Sequence, residues 1–317
     1  MSPQQGTSRP DLPWGGPRFW QGVWRVADPK ITLASVASMF LGLCAAAHDG
    51  PIRWGALVIT VLGIFCLEAA KNASGELFDF DSGTDLRVTA EDRSPFSGGK
   101  RVLVDGLWTR PQTMAVAAAF YLAGGALGVV LALREPAVVG IGLLGAAIAY
   151  FYHATPVKLS YRGLGELAVF LTYGPLIACG AYVVQRGEIP SRTIHLGVPV
   201  GLMIAAFLFI NEFPDARADA ASGKRTLVVR LGRPLASRAF ALFPIVAFTY
   251  LLLQPILFGL PRGVLFGLIG LPLAIAAARR LQASPDVTRE IVPAQAWTLL
   301  SFVLLSLGSG IGMLLFR

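Results

Sequence analysis

Residues 195–219 read HLGVPVGLMIAAFLFINEFPDARAD, an apolar run that ends in a charged segment. The apolar part approaches the length of about 20 residues that a membrane-spanning helix needs. Asn211, Asp215 and Asp219 follow at spacings i, i+4 and i+8, so on a helix their oxygens form one stripe. The stretch therefore predicts a transmembrane helix with a row of oxygen ligands at its end.

The rest of the chain has the composition of a membrane protein. Of its 317 residues, 54% are hydrophobic and 15% are charged, whereas a soluble domain carries about 25% charged residues. The high apolar content also excludes a disordered chain. Nine apolar segments predict an all-α, polytopic membrane protein with nine transmembrane helices. Their predicted bounds are 31–47, 52–74, 113–133, 138–153, 167–185, 195–213, 239–257, 263–282 and 295–316. Residues 1–30 are predicted to form a cytoplasmic N-terminal segment, and residues 31–317 a single transmembrane domain.

The distribution of basic residues predicts the orientation of this domain. With nine spans, 21 of the 27 lysines and arginines fall on the side of the N-terminus. The positive-inside rule then places the N-terminus and the large loops in the cytoplasm, and we expect the chain in the cytoplasmic (inner) membrane of a bacterium. Because the basic residues lie between apolar runs rather than along one face, we expect no nucleic-acid partner.

A second acidic segment follows the second predicted span. Residues 71–85 read KNASGELFDFDSGTD, in which Asn72, Glu76 and Asp79 share a helix face and Asp85 follows a Ser-Gly pair. Carboxylates stacked at the end of a membrane helix repel each other, and desolvation increases that cost. Oxygen ligands without His or Cys select a hard ion such as Mg²⁺, which often completes its shell with phosphate oxygens. Two such stripes on one side of the membrane therefore predict a magnesium-bridged polyphosphate site.

Each acidic segment is followed by basic residues in a related context. Residues 97–104 read SGGKRVLV and residues 221–228 read ASGKRTLV, which share Gly-Lys-Arg-x-Leu-Val. Lysine and arginine side chains in these segments, such as Lys224 and Arg225, either bind diphosphate oxygens or serve as positive-inside anchors.

These motifs resemble those of the UbiA superfamily of intramembrane prenyltransferases. The resemblance extends from Asp28-Pro-Lys-Ile-Thr-Leu33 through the last predicted span, and it is strongest over Asn211–Asp219 and Gly223–Gly232. Residues 94–103, 161–166 and 223–232 look most like the branch that prenylates 1,4-dihydroxy-2-naphthoate in menaquinone synthesis. The chain departs from the family pattern where Gly75-Glu76 replaces Asn-Asp and where Glu212 replaces an aspartate.

The resemblance implies nine helices around a central cavity and the transfer of a prenyl group from an isoprenoid diphosphate to an aromatic or other lipophilic acceptor, with release of pyrophosphate. It implies Mg²⁺ as the cofactor, and polyprenyl diphosphate, the acceptor and membrane lipid as partners. One metal ion is then assigned to Asn72, Glu76, Asp79 and Asp85, and the other to Asn211, Asp215 and Asp219. The expected diphosphate clamp consists of Lys30, Lys158, Arg162, Lys224 and Arg225.

Other functions remain open at this point. The same fold can act on another quinone precursor, a tetrapyrrole or a lipid, or as a terpene cyclase. A transporter would suit the intramembrane Glu68 and the broken helices. Both acidic clusters lie toward one side of the membrane, however, which favours an enzyme.

Overall fold

The computed structural model describes residues 12–316, except for the side chains of residues 29–31. Within this range the secondary structure is helical, and the only extended pairing is an isolated bridge between Ser94 and Ser97. The α-helices are α1 (Pro17–Ala27), α2 (Pro29–Asp49), α3 (Trp54–Asp81), α4 (Thr84–Arg87), α5 (Arg110–Ala132), α6 (Ala137–His153), α7 (Gly165–Leu171), α8 (Ile177–Arg186), α9 (Ser191–Ala221), α10 (Leu227–Leu231), α11 (Arg233–Phe240), α12 (Leu242–Leu257), α13 (Leu271–Ala283) and α14 (Thr288–Leu315). The all-α prediction is confirmed.

Eight helical stretches in the described range are long and apolar enough to cross a membrane. They are Thr32–Asp49, Trp54–Asp81, Arg110–Ala132, Gly165–Arg186, Ser191–Ala221, Arg233–Leu257, Arg262–Ala283 and Thr288–Leu315. The predicted fourth span corresponds to α6, which has 17 residues and is therefore about 26 Å long, slightly less than the hydrocarbon core of a bilayer. The chain is an integral membrane protein, and the count of nine spans stays a prediction that depends on α6.

The helices that carry the acidic segments extend past their predicted ends. α3 continues from the predicted end at residue 74 to Asp81, and α9 continues from residue 213 to Ala221. Hydropathy marks the end of the apolar surface, whereas the helical backbone conformation continues past Gly75 in α3 and past Pro214 in α9, although Pro214 donates no backbone hydrogen bond. Both acidic stripes are therefore rigid helical extensions of membrane spans.

The core surrounds α9. Of the apolar stretch of this helix 72% is buried, compared with 22% for α5. Small residues allow the neighbouring backbone to approach closely, since a Cβ atom on Gly174 would lie 2.7 Å from the carbonyl oxygen of Gly197. The second acidic stripe thus emerges from the centre of the bundle.

Helix α1 packs beside α3, outside this core. Its Phe19 carbonyl accepts a hydrogen bond from Trp108 Nε1 at 3.0 Å, and Gly22 leaves room for the same indole ring. Part of the predicted N-terminal segment is thus attached to the bundle near the end of α3 that carries the first acidic stripe.

Candidate functional site

The ends of α3, α4 and α9 meet on one side of the bundle. The Thr84 hydroxyl donates a hydrogen bond to the Ser222 hydroxyl at 2.8 Å, which joins α4 to the end of α9. Lys224 Nζ lies 3.6 Å from Asp219 Oδ1 and 4.0 Å from Asp79 Oδ1. The two acidic segments, 138 residues apart where they touch, therefore meet at one place.

Four carboxylates at this place have buried oxygens that accept no hydrogen bond, and the Lys224 ammonium lies near two of them, Asp79 Oδ1 and Asp219 Oδ1. Asp79 Oδ1, Asp85 Oδ2, Asp215 Oδ1 and Asp219 Oδ1 are buried and have no hydrogen-bond partner. We call these four side chains the carboxylate cluster. A buried oxygen of this kind costs free energy unless a donor or a cation compensates it. The cluster thus has unfilled capacity for positive charge.

The donor set fits magnesium, although it is not a preassembled cage. In the described part of the chain, no three His, Cys, Asp or Glu side chains converge tightly enough to hold a metal ion by themselves. Mg²⁺ is commonly held by one or two carboxylates together with substrate phosphate and water, so it does not need three protein ligands that already converge. Burial, with the negative charge of Glu76 and Asp79, raises the pKa of Asp85 to about 8. A divalent cation would remove that penalty.

Lys224 is the one predicted clamp residue with a described contact to the cluster. Its ammonium also lies 5.9 Å from the centre of the Tyr161 ring. Burial disfavours the charged amine, but Asp79, Asp219 and Asp215 outweigh that effect and raise the pKa of Lys224 well above its usual value. The side chain is therefore a permanent cation within the acidic space.

The other predicted clamp residues lie farther out or outside the described side chains. Lys158 Nζ lies 5.2 Å from the centre of the Tyr161 ring, and Arg162 donates a hydrogen bond from Nη2 to the Pro156 carbonyl at 3.0 Å. The Arg225 side chain is exposed, and its backbone N–H donates to the Tyr161 carbonyl. The side chain of Lys30 lies outside the described residues.

Two residues predicted as metal ligands have other partners. Asn72 donates from Nδ2 to the Val26 carbonyl at 2.9 Å. Glu76 Oε1 accepts hydrogen bonds from the backbone N–H groups of Lys100 and Arg101, at 2.7 Å and 3.0 Å, and Oε2 accepts one from Val102 at 2.7 Å. Glu76 thus anchors residues 100–102, and both of its oxygens are occupied. Its role as a metal ligand stays a prediction that this arrangement does not favour.

Asn211 is the third predicted metal ligand that is not part of the carboxylate cluster. It lies one turn deeper in α9 than Asp215. Its Oδ1 accepts a hydrogen bond from Gln295 Nε2 of α14 at 3.0 Å. This contact fixes the amide side chain against the wall of the bundle.

The sequence analysis did not predict that backbone N–H groups of residues 98–102 donate hydrogen bonds to acidic side chains of the site. The Gly98 N–H donates to Asp215 Oδ2 at 3.2 Å, and Lys100 Nζ forms an ion pair with Asp28. Gly98, Gly99 and Arg101 have positive φ angles, a conformation in which successive N–H groups can surround an anion. The Gly-Gly pair was the available signal, because glycine adopts such angles without strain.

Replacing Glu76 by alanine is expected to release this segment. Three backbone N–H groups would lose their acceptor, which costs about 1–3 kcal/mol of stability where water cannot replace it. The melting temperature in detergent should fall, and proteases should cleave residues 93–102 faster. Glu91→Ala, at an exposed position of the same loop, is the matched control and should change neither. Unchanged protection in Glu76→Ala would show that this carboxylate does not anchor the loop.

The fold and the site together define a class of protein: a membrane-embedded helical protein with a cluster of buried carboxylates at one end of its spans. The sequence model of the UbiA prenyltransferase family matches residues 35–300, and the chain belongs to that family. The predicted resemblance is confirmed, and the protein is a prenyltransferase.

Named relatives match over most of the chain. The 2-carboxy-1,4-naphthoquinone phytyltransferase of Synechocystis sp. is 27% identical, over 85% of this chain and 85% of the relative. The 1,4-dihydroxy-2-naphthoate octaprenyltransferase of Mycobacterium tuberculosis is 29% identical, over 84% of this chain and 88% of the relative.

Solved structures show the same fold. The apo structure of a UbiA homolog from Aeropyrum pernix K1 has a TM-score of 0.66 at 19% identity, over 88% of this chain and 96% of that one. A UbiA homolog from Archaeoglobus fulgidus, bound to GPP and Mg²⁺, has a TM-score of 0.62 at 14% identity, over 92% of this chain and 99% of that one.

Proposed function

We propose that this protein transfers a prenyl group from an isoprenoid diphosphate to an aromatic acceptor in a Mg²⁺-dependent reaction that releases pyrophosphate. The observation that carries the proposal is the carboxylate cluster, in which four buried oxygens accept no hydrogen bond and one ammonium, that of Lys224, lies beside two of them. The acceptor class that we favour is 1,4-dihydroxy-2-naphthoate, a precursor of menaquinone, because the relatives described above are named for naphthoate or naphthoquinone substrates.

The carboxylate cluster would hold the magnesium ions, with Asp79 and Asp85 on one side and Asp215 and Asp219 on the other. When bound, Mg²⁺ neutralises the charge that develops on the diphosphate as the allylic carbon–oxygen bond breaks. Lys224 supplies a fixed positive charge at the same place, and a preorganised charge needs no rearrangement during the reaction. The Gly98 N–H orients Asp215.

The surrounding bundle protects the reaction from water. The allylic carbon is electrophilic once the diphosphate leaves, so water would compete with the acceptor. Apolar helices exclude water and also accept the hydrocarbon tail of the donor. In this proposal residues 31–317 act as one catalytic domain, and the carboxylate cluster faces the cytoplasm of a bacterium, on the side where the basic residues concentrate.

A product assay on the purified protein in detergent or lipid tests this function. The protein is mixed with Mg²⁺, prenyl diphosphates of several lengths and 1,4-dihydroxy-2-naphthoate, and the products are identified by mass. We expect a prenylated product of the naphthoate acceptor. Its formation should stop with a chelator and resume with added Mg²⁺. Release of pyrophosphate without this product would point to another acceptor or to cyclisation. No turnover of any donor by folded protein would contradict the proposal.

A further inference from the structure

Helix α1 and the residues just before it carry exposed aromatic rings that the proposed reaction does not use. Trp14, Trp20 and Trp24 have 61%, 60% and 70% of their surface exposed. Aromatic side chains of this size gain free energy when their rings leave water. A contiguous exposed apolar patch is typical of a protein–protein or membrane interaction site. We call these three side chains the tryptophan patch.

The rings of the tryptophan patch are neighbours. The centre of the Phe19 ring lies 5.4 Å from that of Trp14 and 5.6 Å from that of Trp20. Trp24 follows Trp20 by four residues, so the two side chains lie next to each other on the helix surface. The three indoles therefore form one continuous surface.

The surface of α1 is divided into apolar and polar parts. Val26 is buried against the bundle. With 3.6 residues per turn, Trp20 and Trp24 occupy one half of the remaining surface. Arg18 and Gln21 occupy the other half, and both are exposed. A helix that lies along a membrane surface has this division, since one part faces the acyl chains and the other faces water.

Helix α1 lies at the level where two neighbouring spans end. Its Val26 carbonyl accepts a hydrogen bond from Asn72 Nδ2 at 2.9 Å, close to the predicted end of the apolar part of α3. Its Phe19 carbonyl accepts one from Trp108 Nε1 at 3.0 Å, two residues before α5 begins at Arg110. Tryptophan is enriched at this level because its amphipathic ring suits the headgroup region of a bilayer.

Polar contacts join α1 to the loop that reaches the carboxylate cluster. Arg25 donates a hydrogen bond from Nη1 to Asp105 Oδ2 at 2.6 Å, and it also donates to the Lys100 carbonyl at 3.4 Å. The same loop contains Gly98, whose N–H donates to the second acidic stripe. The position of α1 is therefore transmitted to a backbone group of the site.

The loop is loosely packed on the side that faces α1. A cavity of about 530 Å³ lies between them, and its walls include Trp24, Arg25 and residues 93–101. Because this cavity takes the place of close packing, the contacts of Arg25 carry a large share of the support that α1 gives the loop. A displacement of α1 would weaken that support.

We propose that the tryptophan patch binds the headgroup region of the phospholipid bilayer on the side of the carboxylate cluster, and that α1 thereby holds residues 98–105 in place. Arg18, on the polar half of the helix, faces the lipid phosphates and water. Trp20, Trp24 and Arg25 are positioning residues, since they act through the loop. The anchoring is independent of the proposed function, whereas its effect on turnover rests on that function.

Fluorescence in reconstituted bilayers tests the anchoring. The emission of Trp20 and Trp24 is obtained as the difference between the wild-type protein and Trp20→Tyr/Trp24→Tyr. Phospholipids brominated on the acyl chains near the glycerol should quench most of this emission, and aqueous iodide should quench less of it. Stronger quenching by iodide would place the patch in water. Quenching by neither would show that protein, such as a second copy of this chain, covers it. Either result would overturn the proposal.

Turnover in the same bilayers tests the effect on the loop. Trp20→Gln/Trp24→Gln removes the affinity of α1 for the headgroup region. We expect kcat to fall about threefold to tenfold, since a loop that holds its competent position for part of the time reduces the rate by that fraction. Proteases should also cleave residues 93–102 faster. Trp20→Tyr/Trp24→Tyr should keep the wild-type rate, because tyrosine also suits the headgroup region.

Trp54→Gln provides the control variant. Trp54 is 71% exposed at the start of α3, at the end opposite the acidic stripe, and its replacement should change neither the rate nor the cleavage. A wild-type rate and wild-type protection in Trp20→Gln/Trp24→Gln would overturn the link between α1 and the loop. Failure of the wild-type protein to transfer any prenyl group would contradict the proposed function, and the fluorescence and cleavage results would still decide this inference.

Discussion

Replacing Asp79 or Asp215 by asparagine is expected to reduce turnover at least about a hundredfold, because each change removes one negative charge from the proposed magnesium site. Asparagine keeps the shape of the side chain, so the helix ends should stay in place. Both residues have a buried oxygen that accepts no hydrogen bond, and the Asp79 oxygen lies 4.0 Å from the Lys224 ammonium. The melting temperature without Mg²⁺ should therefore stay the same or rise, whereas the stabilisation by Mg²⁺ and donor should disappear.

Asp81→Asn provides the matched control. Asp81 lies two residues after Asp79 on the same helix, but its side chain is 49% exposed and pairs with Arg110 Nη2 at 2.6 Å. A surface ion pair of this kind contributes little, so activity and the response to Mg²⁺ should remain near wild type. Near-normal turnover in both Asp79→Asn and Asp215→Asn would contradict the two-sided metal site.

The parts of the fold that follow from periodicity could be predicted from the sequence. The apolar runs fix the spans, and the spacing of Asp215 and Asp219 places their carboxylates on one face of α9, because helical geometry is local. The basic loops suggest which side faces the cytoplasm. The structure adds that the helices continue through Gly75 and Pro214, which a search for apolar segments cannot show.

The division of roles among similar residues could not be predicted, because it depends on contacts between distant segments. Glu76 and Asp79 occur in one motif, yet only the carboxylate of Glu76 reaches the amides of residues 100–102. Lys224 and Arg225 are adjacent, yet the first extends among the carboxylates and the second is exposed. Such differences arise from the path of the loops, which hydropathy and spacing do not determine.

Replacing Lys224 by methionine tests whether its positive charge stabilises the diphosphate. We expect turnover to fall at least about a hundredfold, because the diphosphate loses a fixed cation in a site shielded from water. The same change should lower the Mg²⁺ concentration needed for half-maximal activity, since the ammonium that lies 3.6 Å from Asp219 Oδ1 no longer repels the metal ion. Activity and the melting temperature, each measured across a Mg²⁺ titration, separate the two effects.

Arg225, the residue next to Lys224, provides the control variant. Arg225→Gln removes a charge of the same sign from an exposed side chain, and we expect both the rate and the Mg²⁺ requirement to stay within about twofold of wild type, as is usual for screened surface charges. If Lys224→Met keeps its full rate and only its Mg²⁺ requirement falls, Lys224 fills the acidic space in the metal-free protein and does not bind the diphosphate. If Arg225→Gln loses as much activity as Lys224→Met, the clamp extends to the loop surface, and a close approach of the 154–164 loop on substrate binding would explain it.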